Sequence, residues 1–189
     1  MNLKLIIIFS FIMLYGFFEF FINQRKNKQS NFEKKDDKGS LIGLYLSISI
    51  GYFLSFTSAS LKFGRIYHWD LLFTTGFFLI AVGLFIRISA MLALKQYFTY
   101  TVSKIEDHKL VTNGLYKRIR HPGYLGQLII FLGISVSLSN WLSVILMMLP
   151  VMIGYSYRIM IEERFMSKQP GLDYYNYSKK TKKLIPWVF

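Results

Sequence analysis

The sequence predicts an all-α fold, a polytopic transmembrane helical bundle of about five spans. Hydrophobic residues make up 53% of the 189 residues, which is high for a soluble domain of this size. These residues are gathered into long apolar runs that polar segments separate. The net charge of +13 comes from Lys and Arg clustered in those segments, not along one soluble face. The charge therefore favours an anionic membrane surface over nucleic acid as the partner.

The first three apolar runs each have about the length that spans a hydrocarbon core. Leu5–Ile22 is apolar except for Glu19, which lies near its end, where a charge can reach the interface. Leu41–Leu61 is rich in Ser and Gly, which suits close helix contacts. Leu71–Leu94 is interrupted by Arg87, which either extends to the interface or pairs with a carboxylate inside the bundle.

The last two runs are shorter and lie close together. Tyr124–Leu138 and Trp141–Tyr157 are joined by the turn Ser139-Asn140, and each is slightly short for a full span. They predict a tilted or shallow helical hairpin whose second arm is kinked at Pro150. A polar helix, Arg158–Lys168, is expected to continue from the second arm.

The basic residues predict how the chain is oriented in the membrane. Six Lys and Arg lie in the first polar loop, six in the loop of residues 95–123 and seven from Arg158 onward. The opposite side carries only Lys4, Lys62 and Arg65. The positive-inside rule then places the N-terminus outside and both the 95–123 loop and the C-terminus in the cytoplasm. We expect a single membrane domain over residues 1–189, with 1–94 as scaffold and 95–189 as functional core.

The loop before the fourth run contains a dense motif, His108–Tyr124. Within it, Asn113-Gly114 is a turn signal that would fold residues 108–111 back beside residues 116–121. Pro122 is well placed in the first turn of a helix, so the motif predicts that the fourth helix begins here. A helix start has free N–H groups and a partial positive charge, which suit a carboxylate or a phosphate. Alternatively, His121 only caps the helix, and Arg118 and Arg120 face lipid phosphates.

A second candidate group lies where the last span ends. Arg158 and Glu162 are four residues apart and therefore share one helix face, where the carboxylate could bind a cation or a sugar hydroxyl. Alternatively, they form only a local salt bridge on a solvated face. Glu163 lies about 100° further round the helix and is predicted to face solvent. No histidine pair has the spacing of a zinc-binding helix, so no metal site is predicted.

Four segments in this order resemble the isoprenylcysteine carboxyl methyltransferase family, within a wider group that includes membrane phospholipid N-methyltransferases. They are Leu110–Tyr116, Arg120–Tyr124, Glu162-Glu163 and a Tyr-rich tail that ends in Leu184-Ile-Pro. The resemblance covers about Leu94 to Pro186, half of the chain. The combination is specific, whereas each motif alone would be weak evidence.

The resemblance implies an integral membrane enzyme that uses S-adenosylmethionine without a Rossmann sheet, at a cytoplasmic site formed by a loop and a C-terminal helix. It implies that Arg158 is a catalytic residue that positions the substrate. A further cofactor contact is implied near residues 101–103. The cofactor-binding residues implied by the resemblance are His108, Lys109, Leu110, Val111, Tyr116, His121, Pro122, Gly123, Tyr124 and Glu162.

The same resemblance implies the reaction, methyl esterification of a carboxylate on a lipophilic, isoprenylcysteine-like acceptor. The expected partners are a lipophilic small molecule or prenylated substrate and the lipid bilayer, with no nucleic acid. Two alternatives stay open. One is N- or O-methylation of a lipid or small molecule, and the other is a non-catalytic scaffold that binds anionic lipid through its basic loops.

Overall fold

The computed structural model describes residues 3–29, 37, 39–100, 110–169 and 173–185, and within them the secondary structure is helical apart from two isolated β-bridges. Four helices, α1, α2, α3 and α5, are long and apolar enough to cross a membrane. This confirms the predicted all-α, polytopic fold class. The helices are α1 (Leu3–Gln29), α2 (Ser40–Ala59), α3 (Trp69–Leu94), α4 (Pro122–Ser137), α5 (Trp141–Met166) and α6 (Tyr174–Lys180), with 3₁₀ turns at Lys95–Tyr97 and Gly114–Lys117.

The two helices of the predicted hairpin differ in length. α4 has 16 residues and stays shorter than the others, as its apolar run predicts. α5 has 26 residues and continues through Pro150, so the predicted last span and the polar helix after it are one element. The continuation carries Arg158 and Glu162 beyond the apolar part of α5 on the same rigid helix.

α3 and α4 pack antiparallel with their backbones in near contact. Gly83 on α3 faces Gly126 on α4, and a Cβ on either glycine would lie 2.7 Å from the carbonyl oxygen of the other. Gly76 and Gly133 meet in the same way further along the pair. Side chains of any size would force the two helices apart, so the small residues fix α4 against α3.

α2 and α5 form the second close pair, again through small residues. The hydroxyls of Ser58 and Ser143 are 2.9 Å apart between these helices. Beside them, the apolar side chains of Met147 and Val151 are fully buried, as is Ile130 of α4. The core is centred on α2, α4 and α5, and Ile8 of α1 and Ile80 of α3 complete it.

α1 packs on the side of this core through long side chains. Phe9 stacks on Phe56 of α2 with ring centroids 4.8 Å apart, and Phe11 contacts Phe77 of α3 edge to face. One end of α1 is tied to α3 by an ion pair between Lys4 and Asp70. A helix held by side chains leaves more space beside it than the glycine contacts of α3 and α4 do.

The helices alternate in direction, as the predicted topology requires. At one end of the bundle, the start of α1 lies beside the start of α3, and the Trp69 indole donates to the Ser137 carbonyl at the end of α4 at 3.0 Å. At the other end, the start of α4 and the polar part of α5 come together. Both predicted functional segments therefore lie at the same end.

Candidate active site

The fourth helix begins where the motif predicts. Pro122 occupies its first turn, and the carbonyl of His121 accepts hydrogen bonds from the N–H groups of Tyr124 and Leu125, each at 3.1 Å. His121 is the N-cap residue of α4, as the alternative interpretation has it, but its ring makes no cap hydrogen bond. The ring stacks instead on Tyr124 with centroids 5.6 Å apart, and this places both imidazole nitrogens near α5.

Glu162 faces this helix start. Its Oε2 lies 3.6 Å from Nδ1 of His121, and its Oε1 accepts hydrogen bonds from the Tyr124 hydroxyl and from Nε of Arg158, the latter at 3.0 Å. The predicted pairing of Arg158 with Glu162 on one helix face is confirmed. The pair is not on a solvated face, because Arg158 is 1% exposed.

Glu163 is also turned towards the motif, so the prediction that it faces solvent is wrong. Its Oε1 accepts a hydrogen bond from Nε of Arg120 at 2.7 Å and lies 3.4 Å from Nε2 of His121. Glu163 lies about 100° round α5 from Glu162. It still contacts the motif, because the motif loop and the C-terminal segment cover this side of α5. Helical spacing alone does not reveal that cover.

Arg120 joins the motif to residues 173–185, which we call the C-terminal strap. Its Nη1 donates to the Ser178 carbonyl at 2.9 Å and to the carbonyl of Thr181. The backbone adds two bonds, from Arg120 N–H to the Lys182 carbonyl at 2.8 Å and from Lys182 N–H to the Arg118 carbonyl at 3.0 Å. The alternative that Arg120 faces lipid phosphates is therefore wrong.

The Asn113-Gly114 turn is present and leads into a buried tyrosine. Gly114 has a φ of 56°, which favours glycine, and the Asn113 carbonyl accepts from the Tyr116 N–H at 3.0 Å. Burial raises the pKa of Tyr116, so the hydroxyl stays protonated at neutral pH. The strap fixes the turn from outside, since the Tyr177 hydroxyl donates to the Tyr116 carbonyl at 2.8 Å.

Arg158 has more partners than its spacing to Glu162 predicts. Its Nη1 donates to Asp37 and to the Ser40 hydroxyl, the latter at 2.7 Å, and its Nη2 donates to the Tyr100 carbonyl. Burial raises the pKa of Asp37, but the Leu41 N–H and the Arg158 guanidinium together lower it below its usual value. An acidic residue just before an apolar helix is a cap signal that could have pointed to Asp37.

A second buried ion pair joins α1 to α3. Arg87 donates to Glu19 from Nε at 3.1 Å and from Nη2 at 3.0 Å, and Glu19 also accepts from the hydroxyls of Tyr15 and Tyr100. Of the two alternatives for Arg87, pairing inside the bundle is confirmed. Glu19 is correspondingly inside the bundle rather than at the interface.

These groups surround one cavity of about 430 Å³. One end is polar and is bounded by the motif, the end of α5 and the strap. The other end is apolar and is bounded by residues such as Ile12, Leu44 and Phe131. The predicted site residues that line it are Leu110, Val111, Tyr116, His121, Gly123, Tyr124, Arg158 and Glu162.

Three predicted residues are not on the described cavity wall. Pro122 is fully buried in the first turn of α4, where it shapes the turn between two lining residues. His108 and Lys109 lie outside the described residues, as does the region 101–103. In return, α1, α2 and α3 contribute lining residues that sequence reasoning did not assign to the site, including Glu19 and Arg87.

Sequence comparison finds a family and individual proteins that this chain resembles. The phospholipid methyltransferase family model matches residues 71–171. Protein-S-isoprenylcysteine O-methyltransferase of Schizosaccharomyces pombe is 36% identical over 111 residues, which are 58% of this chain and 47% of that protein. Probable protein-S-isoprenylcysteine O-methyltransferase of Oryza sativa subsp. indica is 36% identical over 115 residues, 60% of each chain.

A solved structure shares the arrangement of helices. The eukaryotic intramembrane Ras methyltransferase ICMT (isoprenylcysteine carboxyl methyltransferase) aligns with a TM-score of 0.59 and 26% identity, over 78% of this chain and 52% of that chain. The present chain thus spans about half of the lengths of these relatives, or somewhat more. The resemblance inferred from the motif residues is confirmed.

Proposed function

The chain belongs to the phospholipid methyltransferase family, and from this premise we propose that it is an integral membrane methyltransferase that uses S-adenosylmethionine. One observation carries the proposal. The carboxylate of Glu162 lies across a single cavity from the Gly114–Tyr116 turn and beside the His121–Tyr124 turn, at the rim of a membrane bundle.

The polar end of the cavity fits the proposed methyl donor. S-adenosylmethionine carries positive charges at its sulfur and amino group and a carboxylate, and this end of the cavity is lined by both an acidic residue, Glu162, and a basic one, Arg120. The volume of about 430 Å³ falls in the usual range for small-molecule sites, roughly 300–1,000 Å³. The ring of Tyr116, which lines the cavity, provides a surface for a flat heterocycle.

We assign the binding roles to the residues as the resemblance implies. Glu162 holds the donor from α5, and the backbone and side chains of Leu110, Val111, Tyr116 and residues 121–124 hold it from the motif. His108 and Lys109 are assigned to the same pocket. When bound, S-adenosylmethionine supplies a methyl group that its sulfonium already activates. The protein then has to align the acceptor, exclude water and prevent hydrolysis.

The acceptor is proposed to be the carboxylate of a lipophilic, isoprenylcysteine-like molecule or prenylated protein. A carboxylate is ionised at neutral pH, so the site needs no general base to activate it. The apolar end of the cavity suits a hydrocarbon chain. Arg158 is assigned to positioning the acceptor, because it joins Glu162, Asp37 and the Tyr100 carbonyl into one wall of the site.

We further propose that the site faces the cytoplasm and that the N-terminus lies outside. The basic residues support this orientation, because their excess falls on the loops at the site end of the bundle. The cavity takes side chains from both halves of the chain, which supports a single membrane domain over residues 1–189.

Binding of S-adenosylhomocysteine to the purified protein tests the proposal. We expect calorimetry to show binding to the wild type and at least tenfold weaker binding to Glu162→Ala, because a charge-assisted contact is lost. Lys179→Ala is the matched control, because Lys179 is exposed on α6 away from the cavity lining.

The acceptor is tested separately by methyl transfer from radiolabelled donor into candidate acceptors. We expect label in N-acetyl-S-farnesylcysteine as a base-labile ester. Label in a lipid amine instead would retain the donor site and replace the proposed acceptor. A well-folded wild type that binds no S-adenosylhomocysteine would contradict the proposed function and favour a non-catalytic membrane protein.

A further inference from the structure

One buried tyrosine on the C-terminal strap has a hydroxyl that forms no hydrogen bond with any described residue. Tyr174, the first residue of α6, is 7% exposed, and its hydroxyl oxygen is shielded from water. Among the described residues, one other buried side-chain oxygen lacks a partner, that of Ser55 between α2 and α5. Tyr174 differs from Ser55 because it lines the cavity. An unpaired buried donor is costly, so the cavity is where an acceptor for this hydroxyl is expected.

The two neighbouring tyrosines of α6 do not share this property. The Tyr177 hydroxyl donates to the Tyr116 carbonyl at 2.8 Å, which ties the strap to the motif. Tyr175 is 67% exposed, and the ammonium group of Lys179 lies over its ring, 4.1 Å from the centroid. Tyr174 is therefore the tyrosine of α6 whose hydroxyl is both buried and unpaired.

The surroundings of Tyr174 indicate which kind of ligand atom it meets. Arg120 lines the same end of the cavity, and its Nη1 donates at 2.9 Å to the carbonyl of Ser178, one helical turn after Tyr174. Burial and the nearby charge of Glu163 raise the pKa of Tyr174, so its hydroxyl stays protonated at neutral pH. The hydroxyl is therefore a neutral donor near a guanidinium, and this setting suits an anionic oxygen.

The polar groups of S-adenosylmethionine can then be assigned to two sides of this end. Its sulfonium and amino groups are positive and suit the carboxylate of Glu162 on α5. Its carboxylate needs hydrogen-bond donors, and the unpaired hydroxyl on the strap is one. Glu163 does not accept from this hydroxyl, since its carboxylate accepts from Arg120 at 2.7 Å and is not on the described cavity wall.

Resting on the proposed function, we propose that the Tyr174 hydroxyl donates to the carboxylate of bound S-adenosylmethionine and that the C-terminal strap is thereby part of the donor site. The hydrogen bonds of Tyr177 and Arg120 hold α6 against the motif and so keep Tyr174 at the cavity. The hydroxyl oxygen is shielded from water in the structure, so pairing with the ligand includes a small movement of the Tyr174 ring. The contact stabilises the complex because it gives the buried hydroxyl an acceptor.

Binding of two ligands to Tyr174→Phe tests this assignment. S-adenosylhomocysteine has the carboxylate, and its decarboxylated analogue differs from it by that group alone. We expect calorimetry to show about tenfold or more loss of affinity for S-adenosylhomocysteine, because a hydrogen bond to a charged group is lost. Affinity for the decarboxylated analogue should stay within about twofold of the wild-type value. Equal losses for both ligands would place the hydroxyl at the nucleoside and overturn the assignment, as would unchanged affinity for both.

Two neighbouring tyrosines provide matched variants of the same helix. Tyr175→Phe removes an exposed hydroxyl and should bind both ligands as the wild type does. Thermal unfolding without ligand then separates a binding role from a structural one. Tyr174→Phe removes an unpaired buried hydroxyl and should melt at the wild-type temperature or slightly higher, whereas Tyr177→Phe leaves the Tyr116 carbonyl without this donor and should melt a few degrees lower. A fall in melting temperature for Tyr174→Phe equal to that of Tyr177→Phe would assign the hydroxyl a structural role and overturn the proposal.

The wild type alone provides a measurement that depends on no variant. The decarboxylated analogue should bind at least about tenfold more weakly than S-adenosylhomocysteine, because it presents no anionic oxygen to the Tyr174 hydroxyl. Equal binding of the two ligands would overturn the proposal even if Tyr174→Phe failed to fold. A wild type that bound neither ligand would contradict the proposed function itself. A wild type that bound S-adenosylhomocysteine no better than Tyr174→Phe does would contradict the role of Tyr174 alone.

Discussion

The two ends of the helical bundle hold their helices together with different groups. At the far end, Asn140 donates to the Ser58 and Phe63 carbonyls at 3.1 and 2.9 Å and accepts from the N–H groups of Leu142 and Ser143. All four of these partners are uncharged backbone groups, and the one ion pair described at this end, between Lys4 and Asp70, has an exposed carboxylate. At the site end, the connections are made by buried arginines and carboxylates around a cavity.

The difference shows what each kind of contact can do. Neutral hydrogen bonds to backbone groups satisfy the donors and acceptors of the backbone and create only a weak electrostatic field. They therefore suit an end of the bundle without a cavity. Buried charges are weak evidence for stability, because their desolvation opposes the attraction between them. They do provide a polarised lining that recognises charged molecules. The site end therefore has both a structural role and a recognition role, whereas the far end has a structural role alone.

The largest effect should follow from Arg158→Ala, which removes the centre of the charged end. Asp37 and Glu162 would each lose a buried cation, and we expect a loss of about 3 kcal/mol in unfolding free energy. Turnover should fall by more than the affinity for S-adenosylhomocysteine does, since Glu162 keeps its bond from Tyr124. Thermal unfolding and steady-state kinetics measure both. Equal losses of turnover and affinity would contradict a role for Arg158 in positioning the acceptor.

An intermediate effect, confined to stability, is expected from Asn140→Ala at the far end. Loss of the helix cap and of two donors to buried carbonyls should cost about 2 kcal/mol. Asn140→Asp is the matched variant, because it keeps the oxygen that caps α5 but loses the two donors. Both variants should bind S-adenosylhomocysteine as the wild type does. Weaker binding would show that the two ends are not independent.

The smallest effect should come from Asp37→Asn and should depend on pH. The pKa of Asp37 is lowered in the folded chain, so its contribution to stability is present above the unfolded value of about 3.9 and is lost as pH falls through the lower folded value. We expect the variant to melt a few degrees lower than the wild type at pH 7 and to lose less on acidification. Identical melting curves for the variant and the wild type from pH 7 down to about 3 would contradict a contribution of Asp37 to the stability of the charged end.

Local signals in the sequence predict much of the site. The Pro122 helix start, the Asn113-Gly114 turn and the face shared by Arg158 and Glu162 depend on neighbouring residues, and the structure has all three. Helix lengths follow from the apolar runs for the same reason.

The sequence predicts pairings between distant segments only in part. Arg87 was expected to pair or to reach the interface, but its partner Glu19 depends on how α1 is rotated against α3. The placement of Glu163 was wrong because the C-terminal strap covers one side of α5 through Arg120. Spacing along one helix carries no information on what packs against it. The roles of His108 and Lys109 stay predictions.

The shortness of α4 bears on the level at which the proposed site would lie in a bilayer. Sixteen residues extend about 24 Å, whereas the hydrocarbon layer is about 30 Å thick. A helix pinned to α3 along its glycines cannot make up the deficit by sliding. With the function proposed above, a start of α4 that stops short of the headgroups would let one cavity receive a water-soluble donor and an acceptor held in the lipid.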